Sequence, residues 1–185
     1  MTQAAAPASQ PSQEKWPIFR LAAIALAYCC AQSIAFLFAD NKDLFMSVWP
    51  PAGVCLAALL LSPRRLWPAI AATIFVVGNA VNLFQHLPLL NSLGFMSANI
   101  IESLGCAWII TRFCGHGVRF DRVKEVLMLL LAATLVNAGS ACVGAGVAAM
   151  VSGAAFGPFW LKWLVADGLG ILLITPFIIL CCDLR

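Results

Sequence analysis

The chain has 185 residues, 62% hydrophobic and only 10% charged, with a formal net charge of +3 and a mean hydropathy of +0.94. A soluble domain carries about a quarter charged residues, so this chain has too little polar surface to stay in water. The composition leaves a polytopic membrane protein, gives no reason to expect a nucleic-acid partner, and makes the lipid bilayer the first partner.

Residues 1–15, "MTQAAAPASQPSQEK", are small, polar and proline-bearing, without periodicity. A disordered cytoplasmic tail is expected there. It is not a secretory signal, because no charged region opens it and the apolar run comes only afterwards. Residues 16–185 are expected to form one transmembrane bundle, all-α, of about six spans. A spanning helix needs about 20 mostly apolar residues. The six stretches run over 17–38, 44–61, 67–86, 89–112, 123–152 and 157–181.

The first span enters through Trp16-Pro17 and the third through Trp67-Pro68; Pro88 and Pro158 mark the starts of the fourth and sixth. Proline suits a first helical turn, where its missing N–H has no partner to lose, and tryptophan favours the interface. The second span, "LFMSVWPPAGVCLAALLL", is the odd one. If its helix starts at Pro51, about 12 apolar residues remain, or about 18 Å of helix against a core of about 30 Å. Two readings stay open. Trp49, Pro50 and Pro51 mark either a plain interface start, or a broken, late-starting helix bordering a cavity. A broken helix could turn a positive N-terminal end towards an anion or carboxylate.

Each later span carries a polar or small stripe at helical spacing. The third has Asn79, Asn82 and Gln85, and the fourth has Ser92, Asn99, Glu102, Ser103 and Cys106. The fifth has Asn137, Ser140 and Gly144, and the sixth has Trp160, Trp163, Asp167 and Gly170. The stripes should meet inside the bundle, and the asparagines and small residues are ordinary helix-to-helix contacts. The run "GSACVGAGVAA", 139–149, reads as packing, and Asp121 as the cap of the fifth helix.

Glu102 lies 13 residues into the fourth span and Asp167 lies 10 into the sixth. Both helices enter from the same side, so at helical rise both acids come near the midplane. An acid there costs about 2.5–3.5 kcal/mol, which makes each a functional residue by default, facing the interior. Lys162 is either their partner or a side chain reaching for the interface.

Positive charge sets the topology. Lys15, Arg20, Arg64, Arg65, Arg112, Arg119, Arg122, Lys124 and Arg185 fall on one side, and Lys42 and Lys162 on the other. Both termini and the 62–65 and 112–124 loops are therefore expected in the cytoplasm, the latter with affinity for anionic lipid. Most of the eight cysteines fall in apolar segments and none makes a CxxC pair. No metal site, cofactor or catalytic arrangement can be assembled, and no enzyme is expected.

The segments "WPPAGVCLAALLL" at 49–61, "RRLWPAI" at 64–70, "SANIIESLGCAWIITRF" at 97–113 and "FWLKWLVADGLGILLITPFII" at 159–179 occur in that order. Together they resemble the MASE1 family, bacterial integral-membrane sensor domains. The resemblance implies a sensory input domain in the bacterial cytoplasmic membrane, ahead of a histidine kinase or a cyclic-di-GMP synthase or hydrolase domain. It carries the family's polar residues onto Asn99, Glu102 and Asp167, and its proline turn onto Trp49, Pro50 and Pro51. Family members commonly have two more membrane helices after the Thr-Pro segment. The chain is accordingly expected to be either part of a receptor or a short stand-alone relative.

The functional expectation is a ligand-binding sensor bundle whose pocket is lined by Trp49, Pro50, Pro51, Asn99, Glu102 and Asp167. Its sixth helix would bend at Gly168, Gly170 or Pro176. Its partners would be a small molecule, a cytoplasmic output domain or membrane protein, and a second copy of the chain. The alternatives are an accessory subunit of a membrane complex and a small transporter, although no internal repeat supports the latter.

Overall fold

A computed structural model describes residues 16–37 and 48–183. The tail at 1–15, residues 44–47 of the second span, Lys42 and Arg185 lie outside the described residues. Six helices follow in order: α1 (Trp16–Leu37), α2 (Pro50–Leu60), α3 (Trp67–Phe84), α4 (Leu89–Cys114), α5 (Val123–Ser152) and α6 (Phe156–Asp183). Five are long and apolar enough to cross a membrane, and α2 is a shorter apolar helix. The chain is a multi-pass membrane protein. Its outward faces carry Leu26, Ile101, Leu135, Leu173 and Phe177, all exposed in the isolated chain and suited to lipid.

Prolines set the helix starts as expected. Pro50 and Pro51 occupy the first turn of α2, Pro68 that of α3, and Pro88 precedes α4. At the far end of α5, Gly153 takes φ +68°, and Ala154 N–H reaches back to the Ala148 carbonyl at 3.3 Å. That left-handed residue closes the helix and lets the chain reverse into α6.

Asp121 does not cap α5. Arg122 holds the capping position without a side-chain bond. Instead the Glu125 carboxylate accepts the backbone N–H groups of Arg119 at 3.1 Å and Phe120 at 2.7 Å. Phe120 has φ +60°, which turns the loop back over the first turn of α5. A carboxylate there also suits the positive end of the helix.

The short α2 is the hub. It packs along α6 and also against α1 and α4, burying Pro51, Ala52, Gly53, Cys55, Leu56, Ala57 and Leu59. Contact with α6 brings backbone against backbone at Gly170, with Ile174 also against Gly53. A Cβ on Gly53 would lie 3.1 Å from the Gly170 carbonyl carbon, and one on Gly170 only 2.8 Å from that of Trp49. Two hydrogen bonds hold the crossing: Trp49 N–H to the Ala166 carbonyl at 2.8 Å, and Thr175 Oγ1–H to the Gly53 carbonyl at 3.2 Å. Gly170 thus serves as a contact point; α6 runs helical through it and through Pro176.

The polar stripes meet. Ser92 donates to Asn79 at 2.6 Å, and Asn137 Nδ2 donates to the Leu164 carbonyl at 2.9 Å. Arg20 donates to the Leu61 carbonyl, and Arg64 to Thr111 Oγ1 at 2.9 Å. These bonds gather the start of α1, the end of α2, the start of α3 and the end of α4 at one basic end. The connections at 85–88 and 153–155 lie at the other.

Candidate functional site

A cavity of about 370 Å³ lies between the helices on the side of the 85–88 connection. Its volume falls in the range of small-molecule sites. Nearest that end it is bordered by His86, Leu87, Pro88 and Ala154. Phe36, Phe95, Met96, Phe159 and Trp163 supply apolar walls, and Gln32, Trp49, Asn82, Asn99 and Asp167 line it as well.

The fold explains each placement. Trp49 is fixed by its N–H bond to Ala166, one residue before Asp167, so the start of α2 and the acid of α6 arrive together. The Trp49 ring meets Phe36 edge-on at 5.6 Å. On the opposite side Phe95 packs edge-on to Trp163 at 5.4 Å and lies 5.7 Å from Phe159. Gly144 makes room for Trp163, since a Cβ there would sit 2.6 Å from the indole. Gln32 donates to Asn82 at 2.7 Å and to the Gly78 carbonyl at 3.3 Å. Asn91 donates to Ser152, joining α4 to α5 beside the cavity.

Glu102 is wholly buried and Asp167 is 3% exposed. The Glu102 carboxyl faces Asp167, Ser140 and Trp163. Among the described residues neither of its oxygens completes a hydrogen bond, and Asp167 Oδ2 is likewise unpartnered. Among the described residues no three His, Cys, Asp or Glu side chains gather as a metal centre requires.

Of the six residues expected to line a pocket, the structure brings Trp49, Asn99 and Asp167 to the cavity. Pro50, Pro51 and Glu102 are not on its lining. The two prolines follow Trp49 into the packed α2–α6 crossing. Glu102 lies one turn beyond Asn99 on α4 and stands behind Asp167. The anion-holding role for α2 also fails on geometry. Pro50 and Pro51 have no N–H, Trp49 N–H is bonded to Ala166, and Ala52 N–H to the Trp49 carbonyl at 3.2 Å. No free donor of that first turn faces the cavity.

The sequence reading overlooked α1. Gln32 is fully buried and lines the cavity, and Tyr28, one turn earlier, is 1% exposed. The Tyr28 hydroxyl lies 3.8 Å from Met96 Sδ and faces Asn99. A signal was present: Tyr28 is the chain's only tyrosine, and with Gln32 it makes an i, i+4 polar pair on an apolar helix.

No curated protein and no solved structure matches the chain. The family model described as MASE1 matches residues 20–185. That span takes in every residue lining the cavity, along with the α2–α6 crossing. The chain therefore belongs to the MASE1 family and is a MASE1 membrane sensor domain.

Proposed function

We propose that this domain is a non-enzymatic sensory input that binds a small molecule in the cavity and passes the event through α6 to a cytoplasmic output domain. The output would be a histidine kinase or a cyclic-di-GMP synthase or hydrolase domain. The basic end faces the cytoplasm of a bacterium, by the positive-inside rule, so the cavity is entered from the outer side of the inner membrane.

One observation carries the reading. The cavity is lined at once by Trp49, from the start of α2, and by Asp167 of α6, and these two are joined one residue away by the Trp49–Ala166 bond. A ligand that displaces either residue acts on the joint between the helices. At Gly170 the Trp49 backbone rests directly on α6 with no side chain between them, so displacement is passed on rather than absorbed. Packed interfaces of this kind shift between discrete arrangements rather than deform smoothly. From the joint, α6 runs on to Asp183 near the basic end.

The test is a thermal-shift screen of the purified protein in detergent against small metabolites, with Asp167→Asn alongside. A ligand that binds the folded state raises its melting point. A compound that stabilises the wild type and loses that effect in Asp167→Asn supports the reading. Compounds that act equally on both proteins, or none that acts at all, count against it and favour a scaffold or subunit role.

A further inference from the structure

We propose that the cavity takes a small organic ammonium compound, a molecule with N–H donors and positive charge at one end and an apolar remainder. The inference rests on the reading of the cavity as a ligand site and names the chemistry it selects.

The first ground is the balance of donors and acceptors. Four side chains on the cavity lining are at least nine-tenths buried and keep an oxygen unpartnered among the described residues: Gln32, Asn91, Asn99 and Asp167. A buried polar atom left unmatched costs free energy, and a ligand that matches it recovers this. Gln32 is held with its NH₂ on Asn82 and the Gly78 carbonyl, which leaves its oxygen available. An amide such as Asn99 can turn over and present its NH₂ instead. A carboxyl oxygen has no such option beyond taking up a proton, so Asp167 fixes the demand for a donor. Glu102 behind it adds a second carboxyl with both oxygens unpartnered.

The second ground is charge. Two carboxyls face each other in the interior, and a positive group beside them would favour their charged form. Among the described residues the cavity lining contains no lysine or arginine. The start of α2 makes no competing demand for an anion, since its two prolines withhold the N–H groups an anion would need.

The third ground is the walls. Phe36 with Trp49, and Phe95 with Phe159 and Trp163, place ring faces and edges around the same space. Aromatic faces attract a desolvated cation and pack against apolar carbon. A space of about 370 Å³ is far larger than a bare ion needs and suits an organic skeleton.

The experiment compares matched head groups on one skeleton: phenethylamine, phenethyl alcohol and phenylacetate, then butylamine, butanol and butyrate. Affinity for the purified full chain is read by calorimetry and by the shift of the unfolding midpoint. At least one ammonium compound should bind about tenfold or more tightly than its alcohol and carboxylate partners, as a charge-assisted bond to a buried carboxyl implies. Asp167→Asn should erase that preference, as judged on protein with wild-type circular dichroism. If that variant does not fold, the wild-type ranking decides alone. The inference is overturned if a carboxylate or alcohol matches the amine, or if folded Asp167→Asn keeps the preference. Alcohols or carboxylates that bind and depend on Asp167 would leave the sensor pocket standing and remove only the ammonium assignment. No binding by any head group would remove both.

Discussion

Gly170→Ala adds one methyl group at the α2–α6 crossing. That carbon would lie 2.8 Å from the Trp49 carbonyl carbon, where ordinary contact begins near 3.4 Å, and closer still to its oxygen. The atoms in the way are backbone, so no side chain can swing aside. The start of α2 must retreat by about 1 Å, a strain of about 1–3 kcal/mol for overpacking. The retreat stretches the Trp49–Ala166 bond from 2.8 Å beyond useful length, and a buried donor left unmatched costs about 1–3 kcal/mol more. The variant should lose about 2–6 kcal/mol of stability. The control is Gly146→Ala on α5, where an added Cβ meets nothing within 4 Å. It should be unchanged, or more stable by up to about 1 kcal/mol from helix propensity. Both are measured by SDS titration of folded protein in mild detergent, followed by far-ultraviolet circular dichroism. If Gly170→Ala falls within about 0.5 kcal/mol of Gly146→Ala, surface-like behaviour, the hub role of α2 is wrong.

Gln32→Leu removes the amide that binds Asn82 and the Gly78 carbonyl, and should cost about 1–3 kcal/mol in the same titration; no loss would mean α1 is held by apolar packing alone. Glu102→Gln should leave stability within about 1 kcal/mol of wild type, because it exchanges a buried carboxyl whose oxygens complete no hydrogen bond for an amide of the same size. A drop of about 2 kcal/mol or more would show that the carboxyl is bonded after all. Glu125→Ala should release the amides of Arg119 and Phe120, at a cost of about 1.5–3 kcal/mol for bonds to a charged group. Hydrogen exchange over residues 115–122 should quicken, and an unchanged exchange pattern there would sink that account.

Much of the fold was legible because membrane physics writes it in large letters. The apolar runs and the Trp-Pro pairs located the helices to within a few residues, and the arithmetic of the second span pointed to a short helix starting at Pro50 or Pro51. Glu102 and Asp167 were recognisable because carboxyls are so costly at that depth. The cavity lining was harder. Which of Glu102 and Asn99 reaches the space depends on a single helical turn, and that turn is set by how α4 packs on α5. The contribution of Gln32 was missed because with Tyr28 it makes only a two-residue pair, shorter than the stripes of the later helices. The contact made by Gly170 was not foreseen, since a glycine that admits another backbone and one that permits a hinge look alike in one dimension. The Glu125 bonds to the preceding loop depended on the left-handed Phe120, a residue type that gives no warning of it.

The π-helical turn at Ala132–Val136 has a consequence for how this chain can change in length. Glu125, Leu129, Ala133, Asn137, Ala141 and Ala145 are all buried, each four residues after the last. In an uninterrupted α-helix a row of that spacing drifts by about 40° per step, and its far end would come round towards the lipid. The wide turn takes up one extra residue, about 100° of rotation, and offsets about half of that drift. A deletion inside 132–136 would let the turn rewind as ordinary helix with both halves still facing inward. The same deletion placed between Ser140 and Ala148 would swing Gly144 away from Trp163. The fifth helix thus holds one expendable residue, and its position confines tolerated length variation to a single turn.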